Sequence, residues 1–176
     1  MVLGLDASTT VVGYALVDGD EIQDMGFIDL KKFTSINEKA IFAYEELLEK
    51  QIFRKVTSIC VEDSLSGFAR GKTSVQTIIK LAKFNAVLCF ILGWGSDIKV
   101  HSVNPATARK TVFGKSRVRG IPAKDFVQTQ IEKRFDLSKW ILYNTRGNFD
   151  KKNIDAYDAL VVALHHSISL SQDNAK

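Results

Sequence analysis

The chain has 176 residues, of which 45% are hydrophobic and 25% charged, and these proportions are typical of a single globular domain. Both cysteines lie within apolar runs, which argues against a disulfide framework or a cysteine zinc site and favours a reducing compartment. The longest uninterrupted apolar run, Ala86 to Leu92, is too short to span a bilayer, and no secretory leader precedes the first strand. We therefore expect a cytoplasmic protein without a membrane partner, with one domain over residues 1–170 and a polar tail over residues 171–176.

Basic residues are concentrated in the middle of the chain. Between Ser64 and Lys124 there are eleven lysines and arginines against one acid, whereas the whole chain carries 24 basic and 20 acidic residues. A basic region on an otherwise acidic chain indicates a polyanionic partner, and nucleic acid is the first candidate. For Lys80 and Lys83 a solvated helix face is an equally good interpretation.

The first thirty residues predict three antiparallel strands. Two β-prone runs, Val2 to Leu5 and Val11 to Val17, are separated by a turn of small residues, and a third strand is expected over Glu21 to Leu30. Asp6 lies where the first run reaches the turn. An unpaired carboxylate is costly in a buried strand, so Asp6 either initiates the turn or binds a cation.

The next segments alternate between helices and strands. Asn37 is expected to cap a helix that ends near Lys50. Its predicted apolar face consists of Ile41, Tyr44, Leu47 and Leu48. A β-branched run from Val56 to Val61 predicts a fourth strand, covered on both faces. A long helix over about Thr73 to Leu92 is apolar on nearly every side in its second half, so we expect it to be buried within the chain or in a dimer.

The remaining elements complete an α/β pattern. Ile98 to Val103 predicts a fifth strand, and Asn104 begins a short helix. After a basic, glycine-containing loop, helices are expected over Ala123 to Phe135 and over about Ile154 to Leu170. This order predicts a five-stranded mixed sheet that begins with an antiparallel meander and is covered by helices.

Four acids occupy informative positions in this order of elements. Asp6 ends the first strand, Glu62 ends the fourth, and Asp155 and Asp158 lie three residues apart in the first turn of the last helix. Taken singly, each acid is better explained structurally, since acids in a first helical turn complement the helix dipole. Together, carboxylates without histidine or cysteine favour hard divalent cations such as Mg²⁺ or Mn²⁺. Two such ions about 3.5–4 Å apart suit in-line displacement at phosphorus.

The same residues resemble the motifs of a known nuclease family. Gly4 to Thr10, followed by Gly13 to Ala15, is similar to the opening motif of RuvC-type Holliday junction resolvases, members of the RNase H-like superfamily. Val61-Glu62-Asp63 resembles their second motif, and Asp155 to Leu160 resembles their closing D-x-x-D-A-L helix. The resemblance covers nearly the whole chain in the correct order.

The resemblance implies a function and a set of site residues. It implies a homodimer, formed through the helix over residues 73–92, that binds a four-way DNA junction and makes paired nicks on opposing strands. Two Mg²⁺ ions per active site are implied, with Mn²⁺ able to substitute. Lys124 and the segment Lys110 to Gly114 look like the family's basic segment at the scissile strand, which makes Lys124 a catalytic residue. The implied metal ligands and catalytic acids are Asp6, Glu62, Asp155 and Asp158.

The resemblance also implies a DNA-binding surface. Phe68 occupies the place of an aromatic side chain that the family inserts at the junction centre, where it would stack on an unpaired base. A loop anchor tucked onto the core is an equally good interpretation of Phe68. The basic residues would neutralise phosphates, so binding should weaken steeply with salt. The implied DNA contacts are Phe68, Arg70, Lys72, Arg109, Lys110, Lys115, Arg117, Arg119 and Lys124.

The chain departs from the family pattern at three places. Ser8 replaces a common glycine, and both the basic loop Lys115 to Ile121 and the irregular stretch Asp136 to Asn153 are longer than usual. These departures bear on junction recognition more than on the chemistry. The compact chain and altered first motif fit a phage-encoded member as well as a bacterial one.

Other interpretations remain open. An actin-like ATPase or sugar kinase also begins with a strand, an acid and a small-residue turn, but it needs two such domains, which 176 residues cannot hold. A catalytically silent nucleic-acid-binding relative would share the fold, although all four acids are present. A debranching nuclease of relaxed specificity would share the site. No role is predicted for His165 or His166.

Overall fold

Five strands form one mixed sheet in the order β3-β2-β1-β4-β5, which confirms the predicted α/β architecture. The structure is a computed structural model that describes residues 1–63 and 74–173. The strands are β1 (Val2–Ala7), β2 (Val11–Asp18), β3 (Glu21–Asp29), β4 (Ser58–Glu62) and β5 (Val100–Val103). The helices are α1 (Ile36–Glu49), α2 (Val75–Ser96), α3 (Pro105–Phe113), α4 (Ala123–Arg134) and α5 (Asn153–Asp173), with a 3-10 turn over Ile52–Arg54.

The pairing of the strands brings two acids to one edge of the sheet. β1 pairs with β2 in an antiparallel register that sets Asp6 opposite Gly13, and β3 continues the meander. β4 lies parallel to β1 on its other side, and β5 lies parallel to β4. Because β1 and β4 run in the same direction, Asp6 and Glu62 both lie at the carboxyl ends of their strands.

The sheet separates two hydrophobic cores. On one face α5 packs across β1 and β2, with α3 and α4 beside it. On the other face α1 and α2 cover the sheet. Successive residues of β1 alternate between these cores, so Val2 faces α5 whereas Leu3 and Leu5 face α1 and α2. Full burial of each such leucine contributes roughly 1.5–3 kcal/mol.

Two glycines let α5 approach the sheet at backbone distance. A Cβ atom at Gly4 would overlap the backbone of Ala159 and Ala163, and one at Gly13 would overlap the carbonyl group of Asp155. Neither glycine has a positive φ, so space and not backbone conformation requires glycine here. The start of α5 is thereby held directly against β2.

Helix α1 differs from its prediction in cap and in inner face. Ser35, with an extended backbone, is the N-cap, and Asn37 already lies within the helix. Ile41 and Leu48, assigned to the apolar face, are about half exposed (46% and 50%). The buried residues of α1 are Ala40, Ala43 and Leu47. Leu47 of the predicted face is therefore buried as expected, together with two alanines that the predicted face did not include.

Helix α2 presents an apolar face outward. It ends at Ser96, four residues beyond the prediction, and only Phe84, Leu88 and Leu92 are buried within it. The exposed large apolar side chains of α2 are Val75, Ile79, Phe90 and Trp94. The chain thus buries one side of this helix, not several. By length and composition alone α2 could also cross a membrane, although the uninterrupted apolar run 86–92 within it is too short to do so.

The other helix boundaries agree with prediction to within a few residues. Asn104 caps α3 as expected, because its side chain accepts hydrogen bonds from two backbone N–H groups at 2.8 and 3.4 Å. β5 begins at Val100 and not at Ile98. α5 continues to Asp173, so the first half of the predicted polar tail is helical.

The buried His166 is expected to make stability depend on pH. Its Nε2 lies 2.7 Å from Ser58 Oγ and its ring 4.6 Å from that of His101. Burial, and then His101 and His165, lower the pKa of His166 to about 4. Between pH of about 6.5 and 4 the unfolded chain therefore binds more protons than the folded one, so this histidine costs up to about 3 kcal/mol as the pH falls.

Urea unfolding of the wild type and of His166→Gln at pH 7 and pH 4.5 measures this contribution. The variant should be the less stable protein at pH 7, and the difference should shrink towards pH 4.5. All other titrating groups are common to both proteins and cancel in the difference. A stability difference that does not change with pH would contradict the lowered pKa of His166.

Candidate active site

Three segments that are distant in sequence bring four acids to one edge of the sheet. Asp6 arrives on β1 and Glu62 on β4, and the start of α5 supplies Asp155 and Asp158. The charge of each of the other three acids acts on Asp6. The structure therefore brings together all the residues predicted to bind metal.

Burial and mutual repulsion make three of these acids, Asp6, Glu62 and Asp158, hard to ionise. Burial, followed by the charges of Glu62 and Asp158, raises the pKa of Asp6 well above its ordinary value. Burial and the charge of Asp158 raise the pKa of Glu62 to about 7. Burial raises the pKa of Asp158 to about 6, although Lys124 acts in the opposite direction. A cluster of this kind gains stability from added positive charge.

Lys124 supplies part of that positive charge. Its Nζ, on the first turn of α4, lies 2.6 Å from Asp155 Oδ1 and 4.0 Å from Asp158 Oδ2. Burial lowers the pKa of Lys124, but the hydrogen bond to Asp155 and the surrounding acids outweigh burial and raise it overall. The lysine is therefore held as an ammonium ion between the two acids of α5.

Arg109 on α3 supplies a second positive charge. The charge of its guanidinium lowers the pKa values of Glu62 and Asp158. Burial, which raises both pKa values, has the larger effect. Its Nε is buried and has no hydrogen-bond partner among the described residues. A buried donor without an acceptor costs about 1–3 kcal/mol. An oxygen-rich ligand at the acids would satisfy it.

The donor chemistry of the site fits a hard divalent cation, because it offers carboxylates and no soft ligand. Within residues 1–63 and 74–173, however, no three such side chains are arranged so that they could hold one ion together. Metal binding therefore requires the acids to move closer together.

The predicted DNA contacts are only partly described. A groove of about 670 Å³ is lined by Arg117, Arg119 and the residues from there to Ala123, where α4 begins. The exposed basic residues of α3 and of the following loop are Lys110, Lys115, Arg117 and Arg119. The predicted contacts Phe68, Arg70 and Lys72 lie outside the described residues.

Sequence reasoning missed two residues that position the acids. Gly13, noted only as part of a motif, gives Asp155 its place against β2. Asn153 is buried at the start of α5, where its side chain accepts a hydrogen bond from the Leu142 N–H at 3.1 Å. It donates to the carbonyl oxygens of Leu142 and Asp150 at 2.7 and 2.8 Å. An asparagine just before a helix was the only signal for this role.

The mixed five-stranded sheet covered by helices is the predicted RNase H-like fold. The chain matches a structure of T. thermophilus RuvC in complex with a Holliday junction substrate with a TM-score of 0.65, at 12% identity, over 97% of this chain and 94% of that one. It matches the yeast mitochondrial Holliday junction resolvase Ydc2 with a TM-score of 0.66, at 16% identity, over 99% of this chain and 80% of that one. Both comparisons confirm the predicted fold.

The sequence comparisons narrow the class further. The chain is 27% identical over 173 residues to the crossover junction endodeoxyribonuclease RuvC of Fusobacterium nucleatum, covering 96% of this chain and 80% of the relative. It is 26% identical over 178 residues to the RuvC of Campylobacter jejuni, covering 96% and 95%. No family model matches the chain. Sequence and fold together confirm the resemblance to RuvC-type Holliday junction resolvases over nearly the whole chain.

Proposed function

We propose that this protein is a metal-dependent, structure-selective DNA endonuclease that resolves four-way junctions by paired phosphodiester hydrolysis on opposing strands. The observation that carries this proposal is the cluster of four acids at the ends of β1, β4 and α5, with Lys124 and Arg109 beside it. The similarity to RuvC in sequence and fold supports the same reaction. The bacterial relatives support the cytoplasm as its place of action.

The four acids are the proposed ligands of two Mg²⁺ ions, for which Mn²⁺ would substitute. When bound, such ions activate a water molecule and stabilise the leaving oxygen of an in-line displacement at phosphorus. Asp6 is the proposed central ligand, because the charges of Glu62, Asp155 and Asp158 all raise its pKa. Nearby positive charge also favours the carboxylate forms that act as ligands.

The two cations of the site act on the phosphate. Among the described residues the Nε of Arg109 has no hydrogen-bond partner, and its guanidinium is the proposed donor to an oxygen of the scissile phosphodiester. Lys124, once its ammonium is no longer held by Asp155, neutralises the negative charge that develops while water adds to phosphorus and the bond to the leaving oxygen breaks. Arg109 lies in the middle of α3 and Lys124 in the first turn of α4.

The exposed basic residues of α3 and of the following loop extend this positive surface away from the acids. Two of them, Arg117 and Arg119, line a groove whose wall ends at Ala123, the residue before Lys124. We assign the DNA backbone to this groove, so that phosphates beyond the cleaved one are also neutralised. Phe68, Arg70 and Lys72 remain proposed contacts at the centre of the junction.

The outer face of α2 is the proposed interface of a homodimer. Exposed residues at helical spacing, from Val75 and Ile79 to Phe90 and Trp94, form an apolar stripe along α2. Trp94, with 81% of its surface exposed, is the largest of them. A two-fold dimer repeats the active site, and two sites are what the opposing strands of a four-way junction require.

Trp94→Glu is expected to dissociate this dimer, because a carboxylate in an apolar interface is costly to desolvate. Sedimentation should give a dimer for the wild type and a monomer for the variant at the same micromolar concentration. Leu48→Glu is the matched control, since Leu48 is a half-exposed apolar residue on α1. A monomeric wild type, or a variant that remains dimeric, would contradict the assignment of this face.

Incubation of a synthetic four-way junction and a matched linear duplex with the protein and Mg²⁺ tests the function. Symmetric nicks on the junction alone, absent with EDTA, are expected. Tight binding of the junction without cleavage would instead identify a catalytically silent relative. Three-way branches and forks are included as further substrates. If they are cleaved as fast as the four-way junction, the protein is a debranching nuclease of relaxed specificity. Equal cleavage of the linear duplex would contradict junction selectivity.

A further inference from the structure

A small hairpin precedes α5 and belongs to none of the segments assigned to DNA above. Tyr143 and Phe149 pair as an antiparallel bridge at its base. At its tip, the side chain of Asn144 accepts hydrogen bonds from the N–H groups of Arg146 and Asn148 at 2.9 and 3.1 Å. Two backbone hydrogen bonds of 2.8 and 2.9 Å close the same turn. Residues 142–150, here called the 142–150 hairpin, are thus preorganised.

The 142–150 hairpin is attached to the helix that carries two of the acids. Asn153, two residues before Asp155, binds both the N–H and the carbonyl of Leu142. The Phe149 ring packs on that of Tyr157, with 6.4 Å between their centroids. The hairpin therefore keeps a fixed position relative to Asp155 and Asp158.

The exposed chemistry of the hairpin suits a nucleic acid strand. Tyr143 and Leu142 expose 64% and 49% of their surfaces, although they lie at its base. The hairpin carries one basic residue, the exposed Arg146, and one acid, Asp150, which is paired with Lys152 at 3.3 Å. Lys152 also pairs with Asp29 at 3.0 Å. An exposed aromatic ring close in sequence to an exposed arginine matches the way proteins bind single strands, by base stacking and phosphate neutralisation.

We propose that the 142–150 hairpin contacts the DNA strand beside the cleavage site, where Tyr143 stacks on a nucleobase and Arg146 binds a backbone phosphate. This inference rests on the proposed function, and it adds a recognition element between α4 and α5, separate from the basic loop that precedes α4. Asn153 is the positioning residue that fixes this element to α5.

Junction binding measured by fluorescence anisotropy in EDTA, where no cleavage occurs, tests this contact. Tyr143→Ala should weaken binding by about 5-fold to 20-fold through the loss of one stacked base. Tyr143→Phe should bind within about twofold of the wild type, because it keeps the ring. Arg146→Ala should lower the slope of log affinity against log salt by about one.

Arg54→Ala is the matched control for charge. It removes an exposed arginine from the turn that leads to Thr57. The N–H of Thr57 donates to the Met1 carbonyl, which lies at the opposite end of β1 from Asp6. Arg54 is therefore far from the acids. Its salt slope should equal that of the wild type. If Tyr143→Ala and Arg146→Ala bind like the wild type while the wild type binds and cuts junctions, the hairpin contact is wrong and the nuclease stands. If the wild type neither binds nor cuts, the proposed function itself fails.

Discussion

Asp6→Asn is expected to abolish metal-dependent junction cleavage and to raise the stability of the metal-free protein. Asparagine has nearly the same shape but no charge, so the site loses its central metal ligand. A loss of at least about 10³-fold in rate, roughly 4 kcal/mol of transition-state stabilisation, is expected. Stability should rise because burial and the repulsion by Glu62 and Asp158, which raise the pKa of Asp6, act against its ionised form.

Single-turnover cleavage in Mg²⁺ and thermal unfolding in EDTA, both near pH 7.5, measure the two effects. Asp18→Asn is the matched control, because Asp18 is exposed and lies at the opposite end of the meander, where β2 ends. It should leave rate and stability unchanged. Junction binding by Asp6→Asn should persist, which separates loss of chemistry from loss of recognition. Undiminished cleavage by this variant would remove Asp6 from the site.

Gly13→Ala is expected to destabilise the protein by at least about 3 kcal/mol, because the added methyl group would collide with backbone and not with a flexible side chain. The atom it meets is the carbonyl of Asp155, at the start of α5. The helix must therefore move away from β2 and take two of the four acids with it. A displacement of about 1 Å at a catalytic group costs on the order of 10²-fold in rate.

Urea unfolding compares Gly13→Ala with Gly93→Ala, a control in the interior of α2. A methyl group at Gly93 would meet its nearest neighbour, Val100 Cγ2, at an ordinary contact distance of 3.6 Å. That variant should be as stable as the wild type or more stable by up to about 1 kcal/mol, since alanine favours helix. Equal stability of Gly13→Ala and the wild type would show that α5 does not lie against β2 as described.

The sheet was predictable because its signals are local. The meander is encoded by turns between β-prone runs, and the parallel pairing of β1 and β4 follows once a helix separates them. The same topology predicts that Asp6 and Glu62 meet, because parallel strands end at one edge. The sequence pattern and the family resemblance both led to these residues.

The features that could not be predicted depend on distances across the fold. The inner face of α1 includes two alanines beside the predicted Leu47, and the small size of an alanine matters only against a particular neighbour. The outward apolar stripe of α2 looks in sequence like a doubly buried helix, because composition does not record which side meets the sheet. The role of Asn153 depends on the return of Leu142, eleven residues earlier, to the start of α5.

Helix α5 follows all the other described elements in sequence, and this order has a consequence for the newly made protein. β1, β2 and β3 are joined by short turns and close quickly, whereas contacts between β1 and α5 span some 150 residues and form late. A ribosome-bound chain without this helix holds Asp6 and Glu62 but neither Asp155 nor Asp158. Nuclease activity is therefore expected only after synthesis of the last helix, so a half-made chain cannot cut the DNA around it.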